Sequence, residues 1–171
     1  IFGPSRKEIW TQLSSEIGAR YVDGGVWKGD KVVATHGQWT VTLDTYAVST
    51  GKTTVIFTRM RAPYVNPNGF PFTIYRKGFF SETGKWLGMQ DIEIGDAAFD
   101  EAFIIKGTDE SQVRALFADA RLRDVLMKLP KLHLTVKDDE GWFGPDFPEG
   151  VDELYFNVAG VIKDVEQLKL L

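Results

Sequence analysis

Ile9, Trp10, Leu13 and Ile17 recur at helical spacing near the start of the chain, and the pattern then changes to alternation. Ser5 and Glu8 have the S-x-x-E spacing of a capping box, Pro4 precedes them, and Gly18 follows the last apolar position, so a helix is expected over Ser5–Ala19. From Tyr21 to Ile94 the text is that of strands. "QWTVTLDTYAV" sets Trp39, Val41, Leu43 and Ala47 on one face, against Thr40, Thr42 and Asp44 on the other. "KTTVIFTRMR" continues the β-branched habit, and "STGK" between the two runs, with Gly51 free to take positive φ, predicts a hairpin. Shorter strands follow in "FPFTIYRKG" and "MQDIEIG".

The second half mixes periods. A strand is expected at about Phe99–Lys106, then helical text from Asp109 to Leu129 that breaks near Asp119. Leu122, Val125, Leu126 and Leu129 form an i, i+3, i+4, i+7 stripe stopped by Pro130. "KLHLTVKD" alternates, with Leu132, Leu134 and Val136 inward and His133 outward beside Thr135. A Gly- and Pro-rich loop precedes a last strand at Glu153–Ile162, and Asp164 and Gln167 are placed to cap a short closing helix. Short hairpins without a βαβ rhythm point to a single α+β domain over 1–171. Its sheet is expected to be mostly antiparallel, with an N-terminal helix, a central helical pair and a short C-terminal helix.

Composition adds limits more than clues. A chain of 171 residues with 43% hydrophobic and 26% charged residues is an ordinary globule, and only its twelve Phe, five Tyr and five Trp stand out. A net charge of −4 gives no reason to expect nucleic acid. Zero cysteines removes disulfides, thiolate metal sites and cysteine nucleophiles, and fits a reducing compartment. No apolar run has the length of a membrane span. Ile1 in place of Met is consistent with a piece of a longer chain, and a membrane anchor would then lie outside these residues.

Several motifs promise chemistry and do not keep it. "STGKTT" at 49–54 suggests a phosphate-binding loop, but Tyr46 stands where the first Gly is needed, and strand text follows where a helix is needed. His36 and His133 are far apart and lack metal-ligand spacing, and no G-x-S-x-G supports a serine nucleophile. No metal or cofactor is expected. Five carboxylates at 94–112 (Asp96, Asp100, Glu101, Asp109 and Glu110) resemble an acid cluster. Asp109 and Glu110 fall where a helix starts, with Thr108 or Asp109 as its cap, and Asp96 and Asp100 fall at a turn. Structural roles account for them, with Glu101 the one acid expected inside the strand.

The binding candidates are Arg59, Arg61, Arg76 and Lys77, near the aromatic residues Tyr64, Phe70 and Tyr75. If their two strands pair, they form one positive patch suited to an anionic peptide, lipid headgroup or phosphate. The plainer reading, which we favour, is salt bridging to Asp91, Glu93 or Asp44 across the sheet. Trp142, with Phe143 and Phe147 on the loop "EGWFGPDFPEG", either covers the core or forms a recognition surface.

"GMQDIEIGDAAFDEAFIIKGTDESQVRALF", followed by "EGWFGPDFPEGVDELYFNVAGVIKDVEQL", resembles a family of bacterial cytoplasmic domains of unknown function. The resemblance runs over residues 5–171 and rests on an F-D-x-x-F-x-[IV]-x-G-x-D core and a later G-V-I-x-D. It implies a bacterial, intracellular domain, some of whose relatives are anchored to a membrane, and it carries no activity or catalytic residue. The expectation is therefore a non-enzymatic binding or scaffolding domain whose partner is an anionic small molecule, a lipid headgroup or a protein. Two alternatives stand beside it: a hydrolase or transferase using Asp and Glu assembled by the fold, and a structural oligomerisation domain.

Overall fold

Ser5 starts the first helix as its spacing predicts. Its side chain accepts from the Glu8 amide, and the Glu8 carboxylate accepts from the Ser5 amide at 2.7 Å, so both free donors are satisfied. The computed structural model describes residues 3–25, 28–49, 51–65, 69–78, 88–137 and 150–171. In chain order the elements are α1 (Arg6–Ile17), β1 (Arg20–Val22), β2 (Lys31–His36), β3 (Trp39–Ser49), β4 (Thr54–Val65) and β5 (Phe72–Arg76). They continue with β6 (Gln90–Asp91), α2 (Ala97–Ala102), β7 (Phe103–Gly107), α3 (Glu110–Phe117) and α4 (Ala120–Met127). The last are β8 (His133–Lys137), β9 (Val151–Ala159) and α5 (Val165–Lys169). The fold is α+β with antiparallel sheet, and its helices include the expected N-terminal, central paired and C-terminal ones.

The chain divides into two compact units, Ile1–Pro63 with Asn157–Leu171, and Tyr64–Phe156. In the first, β1 to β4 follow one another in an antiparallel meander. The β3–β4 turn carries Gly51 at φ +83°, which only glycine adopts freely, so "STGK" is the hairpin expected and not a phosphate loop. Register places Val32 opposite Leu43, Ala34 opposite Val41, and Leu43 opposite Met60, so these side chains share one face of the meander. Leu13 of α1 and Leu168 of α5 are buried in this unit, and the two helices pack against each other. Thr58, fully buried, fastens the C-terminal segment: its hydroxyl donates to the Gly160 carbonyl at 2.8 Å and accepts from the Ile162 amide at 3.0 Å.

In the second unit β5 pairs with β7 on one side and β8 on the other, with β6 beyond β7 and β9 beyond β8. Thr73 and Thr135 are buried and share a hydrogen bond at 2.9 Å. Thr135 therefore does not face solvent as alternation suggested, because β8 is covered on both faces; His133 beside it is half-buried, edge-on to Tyr75 at 6.2 Å.

The strand expected at Phe99–Lys106 begins later, at Phe103, and residues 97–102 are helical. Asp96 caps this helix by accepting from the Phe99 amide at 3.2 Å, and Asp100 accepts from the amides of Ile94 and Gly95, both at 2.9 Å. Ala97, Ala98 and Ala102 lend helix propensity, and one helical turn brings Phe99 against Phe103 at 4.6 Å and Phe117 at 5.7 Å. Glu101 is thus an exposed helical residue and not a strand residue. The break at Asp119 is as read: its side chain accepts from the Arg121 amide and caps α4.

Candidate functional site

Three of the four cationic candidates lie on two strands that pair elsewhere, and Lys77 follows the second of them. β4, which carries Arg59 and Arg61, pairs with β3, whereas β5, which carries Arg76, pairs with β7 and β8. On the first, Asp44 lies directly across from Arg59. Arg59 Nε and Nη2 reach Asp44 Oδ1 and Oδ2 at 2.8 and 2.7 Å, and Arg61 Nη2 reaches Oδ2 at 3.3 Å. The Arg59 guanidinium also lies over the Tyr46 ring, 4.9 Å from its centroid, and Tyr46 stacks on Phe57. These arginines are therefore built into the sheet by an acid and an aromatic face, the cross-strand pairing that the sequence favoured.

Arg76 is engaged differently. Its guanidinium donates to the carbonyl of Met127, the last residue of α4, at 2.7 Å and to that of Leu129 just beyond it at 3.2 Å, and lies over the Phe103 ring at 4.8 Å. A cation at the negative end of a helix, satisfying its last carbonyls, is a stabilising device. Lys77 is exposed and donates to the Asp100 carbonyl at 2.8 Å. Tyr64 is half-buried in the second unit; burial pushes its hydroxyl up to about 12, and the charge of Asp152 acts in the same direction. Trp142, with Phe143 and Phe147, lies outside the described residues.

The acids at 94–112 serve geometry. Asp109 caps α3, accepting from Gln112 Nε2 at 2.8 Å, the Gln112 amide at 3.0 Å and Ser111 Oγ at 2.7 Å. Gln112 first, and then Ser111, hold its carboxyl at about 2. Among the described residues no group of three or more His, Asp or Glu side chains is placed to share a metal ion. No helix among them is long and apolar enough to cross a membrane.

What pattern reading missed lies on the other face of the first unit's meander. There α1, α5 and the sheet line a half-open pocket of about 170 Å³. The helix α1 supplies Leu13 and Ile17, and the sheet supplies Val32, Ala34, Val41, Leu43 and Met60. The C-terminal segment closes it with Leu168, Lys169 and Leu171. No local pattern announces it: the inward face sets Ala34 opposite Val41 and Leu43 opposite Met60, an ordinary aliphatic strand face. Ile17, the last position of the apolar stripe of α1, is 47% exposed while still lining the pocket.

The one charged group of the lining is Lys169. Its ammonium pairs with Glu16 of α1 and with Glu166 at 2.8 Å, joining α5 to α1. The bond to Glu16, and then that to Glu166, raises the Lys169 pKa; the same lysine, with Gln12, lowers that of Glu16. At the N-terminal end of α1, Arg6 reaches Asp30 at 3.2 Å and Thr45 at 3.3 Å, and lies over Trp10 at 5.6 Å. The loop that presents Asp30 depends on Gly24, whose backbone runs against the Lys28 carbonyl where any side chain would collide. The helix that walls the pocket is thus fixed at both ends by ion pairs.

No family model and no curated protein matches the chain. Among solved structures, the mycobacterial trehalose monomycolate transport factor A, TtfA, is similar in fold. The TM-score is 0.51 at 11% identity, over 96% of this chain and 87% of that one, so the likeness concerns the fold alone.

Proposed function

We propose that the chain is a non-enzymatic binding domain and that the pocket of its first unit receives an apolar ligand. The observation that carries the reading is the lining: aliphatic side chains from two helices and three strands converge on one hollow, with one charged group among them. The hollow is half open to solvent, with Ile17 47% exposed at its edge, so a ligand can reach the aliphatic lining from outside. The basic residues first considered for binding support it indirectly. Arg59, Arg61 and Arg76 are engaged by Asp44 and by helix-end carbonyls, which makes an anionic partner at those groups the weaker reading.

The similarity in fold to TtfA, which is described as a transport factor, is in keeping with a binding role. The absence of cysteine and the resemblance to bacterial cytoplasmic domains favour a bacterial cytoplasmic setting, at the membrane face if a longer chain supplies an anchor. Native mass spectrometry of protein gently purified from a bacterial host tests the reading. A bound apolar small molecule is expected, at up to one per chain, and Ala34→Phe should release it by filling the pocket. Protein that is bare in every preparation would refute it.

A further inference from the structure

We infer that the pocket takes the aliphatic end of an alkyl chain whose head group bears no negative charge, with the head at the Lys169 mouth; this rests on the binding-domain reading and specifies its ligand. Size sets the first limit. A volume of about 170 Å³ is close to that of the engineered apolar cavity of ~150 Å³ that holds one benzene, and below the 300 Å³ or so of a pocket for a whole drug-sized molecule. It therefore admits one chain end and leaves the remainder of a longer ligand outside.

The chemistry of the walls sets the second limit. Every apolar lining residue is aliphatic or Met, and none is aromatic, so an aromatic ligand finds no ring to stack on. Contact with Leu13, Val32, Val41, Leu43 and Leu168 rewards methylene and methyl groups in proportion to the area buried.

Charge at the mouth sets the third. Lys169 is already matched by two carboxylates, Glu16 and Glu166, so the local balance is one positive against two negative charges. A carboxylate or phosphate head would have to displace one of these acids or sit beside both. A hydroxyl or another uncharged polar head needs neither acid displaced and can stay hydrated beside the ion pairs.

The test is an NMR titration of the full chain with 1-hexanol, 1-octanol, benzyl alcohol and sodium octanoate, read at the methyl groups of Leu13, Val41 and Leu168. Affinity should rise about fourfold per methylene from hexanol to octanol. Octanoate should bind several-fold more weakly than octanol, and Glu16→Gln should narrow that gap. Ala34→Phe should abolish all binding, with Ala34→Leu in its place if the larger side chain prevents folding. Octanoate binding as tightly as octanol, benzyl alcohol binding more tightly than octanol, or shifts that persist in the filled variant would each overturn the inference. If the alcohols fail but purified protein still carries a compound that Ala34→Phe releases, the alkyl assignment falls and the binding-domain reading stands. If nothing binds and nothing is carried, both fall.

Discussion

Arg59 holds Asp44 through two parallel hydrogen bonds, Nε to Oδ1 at 2.8 Å and Nη2 to Oδ2 at 2.7 Å, while Arg61 shares the second oxygen. One acid thus serves two guanidiniums, whose side chains are only 23% and 28% exposed. Removing Asp44 leaves both cations partly desolvated and facing each other. Asp44→Ala should therefore destabilise the protein by about 2 kcal/mol, more than Arg61→Ala does. Urea denaturation of the two variants checks the order, and an Asp44→Ala protein as stable as the parent would contradict it.

Thr58 joins β4 to the segment that leads into α5. Its hydroxyl serves as donor to Gly160 and acceptor from Ile162, so Thr58→Val keeps the shape but strands a buried carbonyl and a buried amide. The expected cost is about 1–3 kcal/mol. Hydrogen exchange should show faster opening at the Ile162 and Leu168 amides than elsewhere in the unit, and uniform protection would argue against this fastening role.

Arg76 is predicted to matter for stability and not for ligand binding. Arg76→Ala removes the donors that end α4 and the cation over Phe103, at a cost of about 2 kcal/mol. Arg76→Lys should recover little, since an ammonium cannot span both carbonyls in the plane of a guanidinium. Thermal melts of the three proteins decide between this and a role at an exposed anion site, which either substitution would leave folded and equally stable.

Asp109 gives the fold a pH dependence with a definite sign. Its carboxyl lies at about 2 in the folded protein against an ordinary value of 3.8, so the folded state favours the ionised form. The stability it contributes is complete above 3.8 and is lost as the pH falls toward 2. Asp109→Asn keeps an acceptor for the α3 amides but cannot titrate. Its melting temperature should fall less steeply than that of the parent between pH 4 and pH 2, and parallel curves would dismiss the assignment.

Local signals read well from sequence where one or two residues decide the geometry. The Ser5–Glu8 capping box, the Gly51 turn, the break at Asp119 and the Asp164 cap all act over three or four residues, and each appears where spacing placed it. Phe99 was misplaced because its short helix is decided jointly, by the Asp96 cap and by distant Phe117. The Asp44 pairing was legible as one of three acids, and cross-strand register selected it. The pocket was not legible at all. Its lining comes from three stretches of chain separated by up to about a hundred residues, and a void follows from how those side chains fail to fill a space, which no local pattern records.

We propose the hollow between α1, α5 and the meander as a binding site for an aliphatic chain. The most direct measurement is the affinity of 1-octanol for the parent chain and for Ala34→Phe, each verified as folded by its thermal melt. Saturable binding to the parent is expected, with shifts centred on Leu13, Val41 and Leu168, and none to the filled variant. Equal binding to both proteins, or none to the parent, would contradict it.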